Sequence, residues 1–155
     1  MDLGDLITQD AVIPSLKAKS KKQALLELSD KASELIAIDS RQIFDVLLQR
    51  ERLGSTGVGR GIAIPHGKLT PLTSIFSMFA RLDSPIEFDS MDDEPVDLIF
   101  LLLAPEHAGA DHLKALARIS RLLREPSTIE KLRGSRDSAV IYSVLTEKAT
   151  ASHAA

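Results

Sequence analysis

The segment Val96–Leu103 carries seven apolar residues in eight positions, broken only by Asp97. An unalternating apolar run of this length reads as a central strand covered on both faces. It is too short to cross a bilayer, which takes about 20 residues. Helical stripes lie to either side. Ser20 with Gln23 fits a capping box, and Leu25, Leu28, Ala32, Leu35 and Ile36 follow at helical spacing. A second helix is predicted from about Asp39 to Arg52, with Ile43, Val46, Leu47 and Arg50 on its stripe. A third is predicted from about Ala110 to Arg124, with Leu113, Leu116, Ala117, Ser120 and Leu123 turned inward, and short helices over 128–133 and 135–148 finish the pattern. Shorter strands are predicted at 11–14, closed by Pro14, at 62–65 and at 75–82, with an edge piece at 85–88. Strands interleaved with helices imply a single α/β domain over residues 1–148, its sheet mostly or partly parallel and covered by helices on both faces. Residues 149–155 have nothing to bury and are expected to form a flexible tail.

Charge and composition remove several function classes. A net charge of −3 gives no basic face for general nucleic-acid binding. There is no cysteine, which excludes disulfides, thiolate metal sites and cysteine nucleophiles. His107 and His112 are five apart, which puts them on different faces of a helix and argues against a zinc pair, so neither metal nor cofactor is expected. The acidic start Met1-Asp2-Leu3-Gly4-Asp5 lacks the basic and apolar run of a signal peptide, and a cytoplasmic location without membrane insertion is expected.

Three residues and one loop could carry chemistry. His66 follows a short apolar strand and the run Gly54-Ser55-Thr56-Gly57-Val58-Gly59-Arg60-Gly61, whose four glycines permit unusual backbone angles. Open α/β sheets bind ligands at the carboxyl ends of strands, where His66 is predicted to sit, although a lone histidine is as readily structural. Arg50 falls on the apolar stripe of its helix. There it would either answer the helix dipole or grip an anion with its planar fork. His112 lies in the first turn of its helix and points inward. Free N–H groups there attract phosphate, and the same field is expected to keep the ring neutral. The plainer alternative is a core histidine bonded to a backbone carbonyl. Together these residues outline a site for a phosphoryl group on nitrogen, with glycine N–H groups and Arg50 holding its oxygens. The phosphate-binding loop is assigned to Gly54, Ser55, Thr56, Gly57, Gly59 and Gly61. Other phosphate motifs do not fit. A Walker loop needs Lys-Ser/Thr after its last glycine, where this chain has Ile62, and a dinucleotide loop needs a strand before it and a helix after. The Gly-x-Ser-x-Gly elbow of an α/β-hydrolase is absent.

The stretch from Arg50 through Pro65-His66-Gly67-Lys68 closely resembles the signature of phosphotransferase-system enzyme IIA domains of the fructose–mannitol class, and within it is most similar to the nitrogen-related enzyme IIA. Pro95-Val96-Asp97-Leu98-Ile99-Phe100 and His112-Leu113 resemble later parts of the same family. The resemblance implies a mixed sheet flanked by helices, and a phosphotransferase in which His66 takes phosphate from a phosphocarrier protein. By position, Arg50 and His112 match the arginine and second histidine of the family site. Arg60 stands where the family pattern suggests a neutral residue, often asparagine, and solvent exposure is its expected role. A regulatory part in the nitrogen phosphotransferase system is implied, with a target protein that senses phosphorylation state. The alternative is a sugar-transport enzyme IIA that passes phosphate to a IIB domain. No IIB-like segment is fused to the chain, which is expected to favour regulation. A third reading is a non-enzymatic module that senses free phosphate or nucleotide.

Overall fold

The structure is a computed structural model that describes residues 2–147, so the tail expected over 149–155 lies outside the described residues. Six strands form one sheet: β1 (Val12–Leu16), β2 (Gly57–Gly59), β3 (Ile62–Ala63), β4 (His66–Leu69), β5 (Phe76–Ile86) and β6 (Val96–Pro105). Its order is β1-β5-β6-β3-β2, with β4 also on β6. The pairs β1/β5, β3/β6 and β4/β6 are parallel, and β5/β6 and β2/β3 antiparallel, so the sheet is mixed. The apolar run becomes the centre: every residue of β6 except Asp97 is buried, and Phe100 packs edge-on against Phe79 of β5 at 6.0 Å. Asp97 escapes the penalty for a lone charge because Arg133 grips both its oxygens, at 2.8 and 2.9 Å.

Five helices complete the fold: α1 (Lys21–Ile36), α2 (Ser40–Arg52), α3 (Ala110–Leu122), α4 (Pro126–Arg133) and α5 (Ser138–Leu145). Ser20 caps α1 by accepting the Gln23 N–H at 3.1 Å. The return half of the capping box reaches Lys19 N–H instead of Ser20, at 2.9 Å. Two helices hold the site. α2 packs on β4, and α3 runs from the end of β6.

Four sequence expectations change. β1 continues through Pro14, because β1 is an edge strand and proline's missing N–H can face away from the ladder. The edge piece expected at 85–88 is in part the end of β5, which stays in the sheet past an irregularity between Arg81 and Ile86. The glycine run is no open loop: Gly57–Gly59 pairs with Ile62–Ala63 as a hairpin turning at Arg60 and Gly61, both with positive φ (56° and 81°). On α3 the buried residues are His112, Ala115 and Ile119, while Leu113 is 67% exposed and Ala117 is exposed. Leu116 and Leu123 face the core as expected, so the inward stripe runs through His112, Ala115, Leu116, Ile119 and Leu123 and leaves out Leu113 and Ala117.

Candidate phosphoryl-transfer site

β3 and β4 form one interrupted strand along β6. Ile62 faces Leu98, His66 faces Leu102 and Leu69 faces Pro105 in one unbroken register. Between them Ile64 and Pro65 fall outside both strands, yet Leu102 N–H still bonds to the Pro65 carbonyl at 2.9 Å. His66 thus opens a second strand segment, where the sequence reading had it follow the end of one. Its half-buried ring is fixed by Nδ1, 2.9 Å from the Ile64 carbonyl. A carbonyl accepts only, so Nδ1 carries the proton and Nε2 keeps its lone pair.

The structure brings His112 to His66, with ring centroids 5.8 Å apart and planes tilted by 54°. His112 is 8% exposed, and its Nδ1 is buried without a hydrogen-bond partner among the described residues, so the carbonyl-bonded alternative does not hold at that nitrogen. Burial holds the His112 pKa below its usual value, and the neighbouring His66 and Lys68 push it the same way. The neutral ring expected from sequence follows in direction, but its main cause is burial.

Arg50 lies on the same helical face as Val46, one turn further along α2. Val46 packs so closely on Gly67 that a Cβ there would come within 2.4 Å of Val46 Cγ1. The helix that bears Arg50 is thereby packed on the strand that His66 opens. Arg50 Nη1 donates to the Gly54 carbonyl at 2.8 Å, bracing the helix exit. Gly54 N–H returns to the Glu51 carbonyl at 3.1 Å, as a residue just past a helix end does.

Within the loop, Ser55 Oγ donates to the Phe88 carbonyl at 2.6 Å and accepts the Gly57 N–H at 3.0 Å. Thr56 is buried, and both its N–H and its hydroxyl donate to Glu51. The N–H groups of Gly54, Thr56 and Gly57 thus have protein acceptors. At the hairpin turn, Arg60 N–H donates to Asp92 at 2.9 Å and Arg60 C=O accepts from Arg133 at 2.6 Å. Arg60 itself is exposed and holds a left-handed conformation that suits asparagine better than arginine. A Cβ on Gly61 would come within 2.4 Å of Arg133 Nη2, so that turn needs glycine for space as well as angle.

Glu51, Asp97 and Arg133 escaped the sequence reading. Glu51 had a signal, lying four residues beyond Leu47 and eight beyond Ile43, on the edge of the same stripe. Arg133 had none, since its partner is 36 residues away in sequence.

The chain matches the family described as "Phosphoenolpyruvate-dependent sugar phosphotransferase system, EIIA 2" over residues 5–148, and it belongs to that family. Such proteins are phosphotransferases that work in phosphotransfer chains with phosphocarrier partners. It is 63% identical over 145 residues to a "Nitrogen regulatory protein" of Bradyrhizobium diazoefficiens, covering 94% of this chain and 95% of the relative. A "Nitrogen regulatory protein" of Klebsiella oxytoca is 36% identical over 148 residues, covering 95% and 91%. The crystal structure of nitrogen regulatory protein IIA-Ntr from Neisseria meningitidis superposes with a TM-score of 0.88 at 31% identity, covering 93% of this chain and 99% of that one.

Proposed function

We propose that His66 Nε2 accepts a phosphoryl group from a phosphocarrier protein, and that a regulatory partner of the nitrogen phosphotransferase system reads the result. The Nδ1–Ile64 bond carries this reading, because it leaves Nε2 as the free nucleophile. The Nε2 lone pair attacks phosphorus in line, the donor's P–N bond breaks, and the donor nitrogen leaves with the bonding pair. The proton stays on Nδ1, donated to the Ile64 carbonyl, throughout, so no base is needed on His66. Arg50 and His112 are the groups assigned to the transferring oxygens, with donors of the Gly54–Gly61 segment not already paired inside it. Arg50 would leave the Gly54 carbonyl to do so.

Leu53, Val58 and Leu113 are 82%, 62% and 67% exposed, on the elements that carry Arg50, the hairpin and His112. Such side chains around a charged centre suit docking of a phosphocarrier. None of the described helices is long and apolar enough to cross a membrane, which fits a site that meets a soluble carrier in the cytoplasm. The 63% identity to a nitrogen regulatory protein favours the nitrogen branch over sugar transport. Incubation with a phosphocarrier system followed by mass spectrometry tests the assignment. One phosphoryl group per chain is expected, acid-labile and absent from His66→Ala. Acid-stable label, or full labelling of His66→Ala, overturns it.

A further inference from the structure

Glu51 is the only buried acidic residue among those described, its side chain 3% exposed in the last turn of α2. Helix electrostatics disfavour an anion at this end. A carboxylate this far from water must also find donors. It finds the Lys21 ammonium at 2.8 Å, the Thr56 N–H at 3.2 Å from each oxygen, and the Thr56 hydroxyl. Thr56 in turn reaches the site. Its carbonyl accepts the Ile64 N–H at 3.0 Å, and the Ile64 carbonyl holds His66 Nδ1 at 2.9 Å. Ile64 needs that anchor, for it lies in the gap between β3 and β4 and precedes Pro65, which has no N–H to donate there. One unbroken chain of contacts therefore runs from the buried carboxylate to the imidazole.

We infer that Glu51 is a positioning residue for phosphoryl transfer, setting the orientation and tautomer of His66 through Thr56 and Ile64. Free imidazole of histidine prefers its proton on Nε2, the nitrogen that must be bare to attack. A carbonyl aimed at Nδ1 reverses that preference, and its aim is only as firm as the Thr56 anchor. The inference rests on His66 being the phosphoryl acceptor.

The test uses the full chain labelled with ¹⁵N-histidine. The His66 tautomer is read from its nitrogen shifts with no phosphoryl donor present, and transfer kinetics are measured separately. Glu51→Gln keeps the volume but sets an NH₂ donor where the carboxylate faced only donors. Its His66 should move toward the Nε2–H tautomer, and kcat should fall about 10- to 100-fold, the scale of a small misplacement of a reacting group. KM for the phosphocarrier should not change. Glu51→Asp should restore part of both effects. Thr56→Val, which removes the hydroxyl and keeps the N–H, should shift the tautomer the same way by less, and it carries the test if Glu51→Gln does not fold. A folded variant with the wild-type tautomer and rate overturns the inference. So does a rise in KM with unchanged kcat, which would assign Glu51 to docking. Because the tautomer is read without phosphate, this result stands apart from the labelling of His66.

Discussion

At the scale of single residues the site is built from side chains with two possible partners. Arg50 now braces Gly54, and under the proposed function it meets phosphoryl oxygens. Arg50→Ala should slow transfer by about 10²-fold, the size of losing one positioned donor. It should also lose about 1 kcal/mol of stability with the Gly54 bond. Arg50→Lys should recover transfer only in part, because an ammonium has no fork. Normal transfer in the folded fraction of Arg50→Ala would confine Arg50 to bracing the helix exit. His112 makes a pH prediction. Its folded-state pKa lies below the usual 6.5, so the unfolded chain takes up that proton first as pH falls. The stability contributed by the neutral ring is complete above pH 6.5 and is lost as pH drops through the lowered value. Denaturant midpoints from pH 7.5 downward should therefore fall more steeply for wild type than for His112→Gln. Parallel curves would mean that His112 is not the source.

At the scale of elements, the contact between α2 and β4 places Arg50 relative to His66. Gly67 permits it, since any Cβ would press on Val46 Cγ1. Val46 is β-branched and has little rotamer freedom in a helix, so it cannot simply turn away. Gly67→Ala should cost about 1–3 kcal/mol by overpacking and slow transfer as the helix moves off the strand. Adding Val46→Ala should restore much of the stability by making room. Thermal melts of the two single variants and the pair check this. Additive losses in the pair would show that the two side chains do not compete for space. The hairpin is held as firmly. Asp92 takes the N–H of Arg60, and Arg133, itself gripped by Asp97, takes its carbonyl. The glycine run is thereby tied to the central strand and to α4.

At the scale of the whole molecule, a phosphoryl group at His66 adds up to about two negative charges to an open face. A partner using that face meets changed electrostatics without any backbone movement. Like charges brought close across an interface cost several kcal/mol, so its affinity should change by roughly tenfold to a thousandfold. Pull-downs with unmodified, phosphorylated and His66→Ala protein should recover a partner that discriminates between the states. If the only phosphorylation-dependent partner is a IIB protein that accepts the group, the sugar-transport reading replaces the regulatory one. His66→Asp is a poor mimic, because its single charge sits nearer the backbone than the phosphoryl oxygens do.

The sequence by itself determined what depends on local pattern. The central strand showed in the run from Val96 to Leu103, α1 in its stripe and cap, α2 in its stripe, and Arg50, His112 and the glycine run in their placement at element ends. Each is a property of neighbours within a turn or two, where spacing alone says which way a side chain points. Tertiary structure decided the rest. Leu113 stands exposed although it is apolar, because the packing of α3 against β6 selects the stripe and hydrophobicity alone does not. The glycine run closes into a hairpin because Ile62–Ala63 is held against β6, giving Gly57–Gly59 an edge to pair with. Locally, Glu51 shows only as a charge on the edge of an apolar stripe, and Asp97 as a break in an apolar strand. Their partners Lys21 and Arg133 lie 30 and 36 residues away, and a charge can be buried only where the fold delivers its counterion.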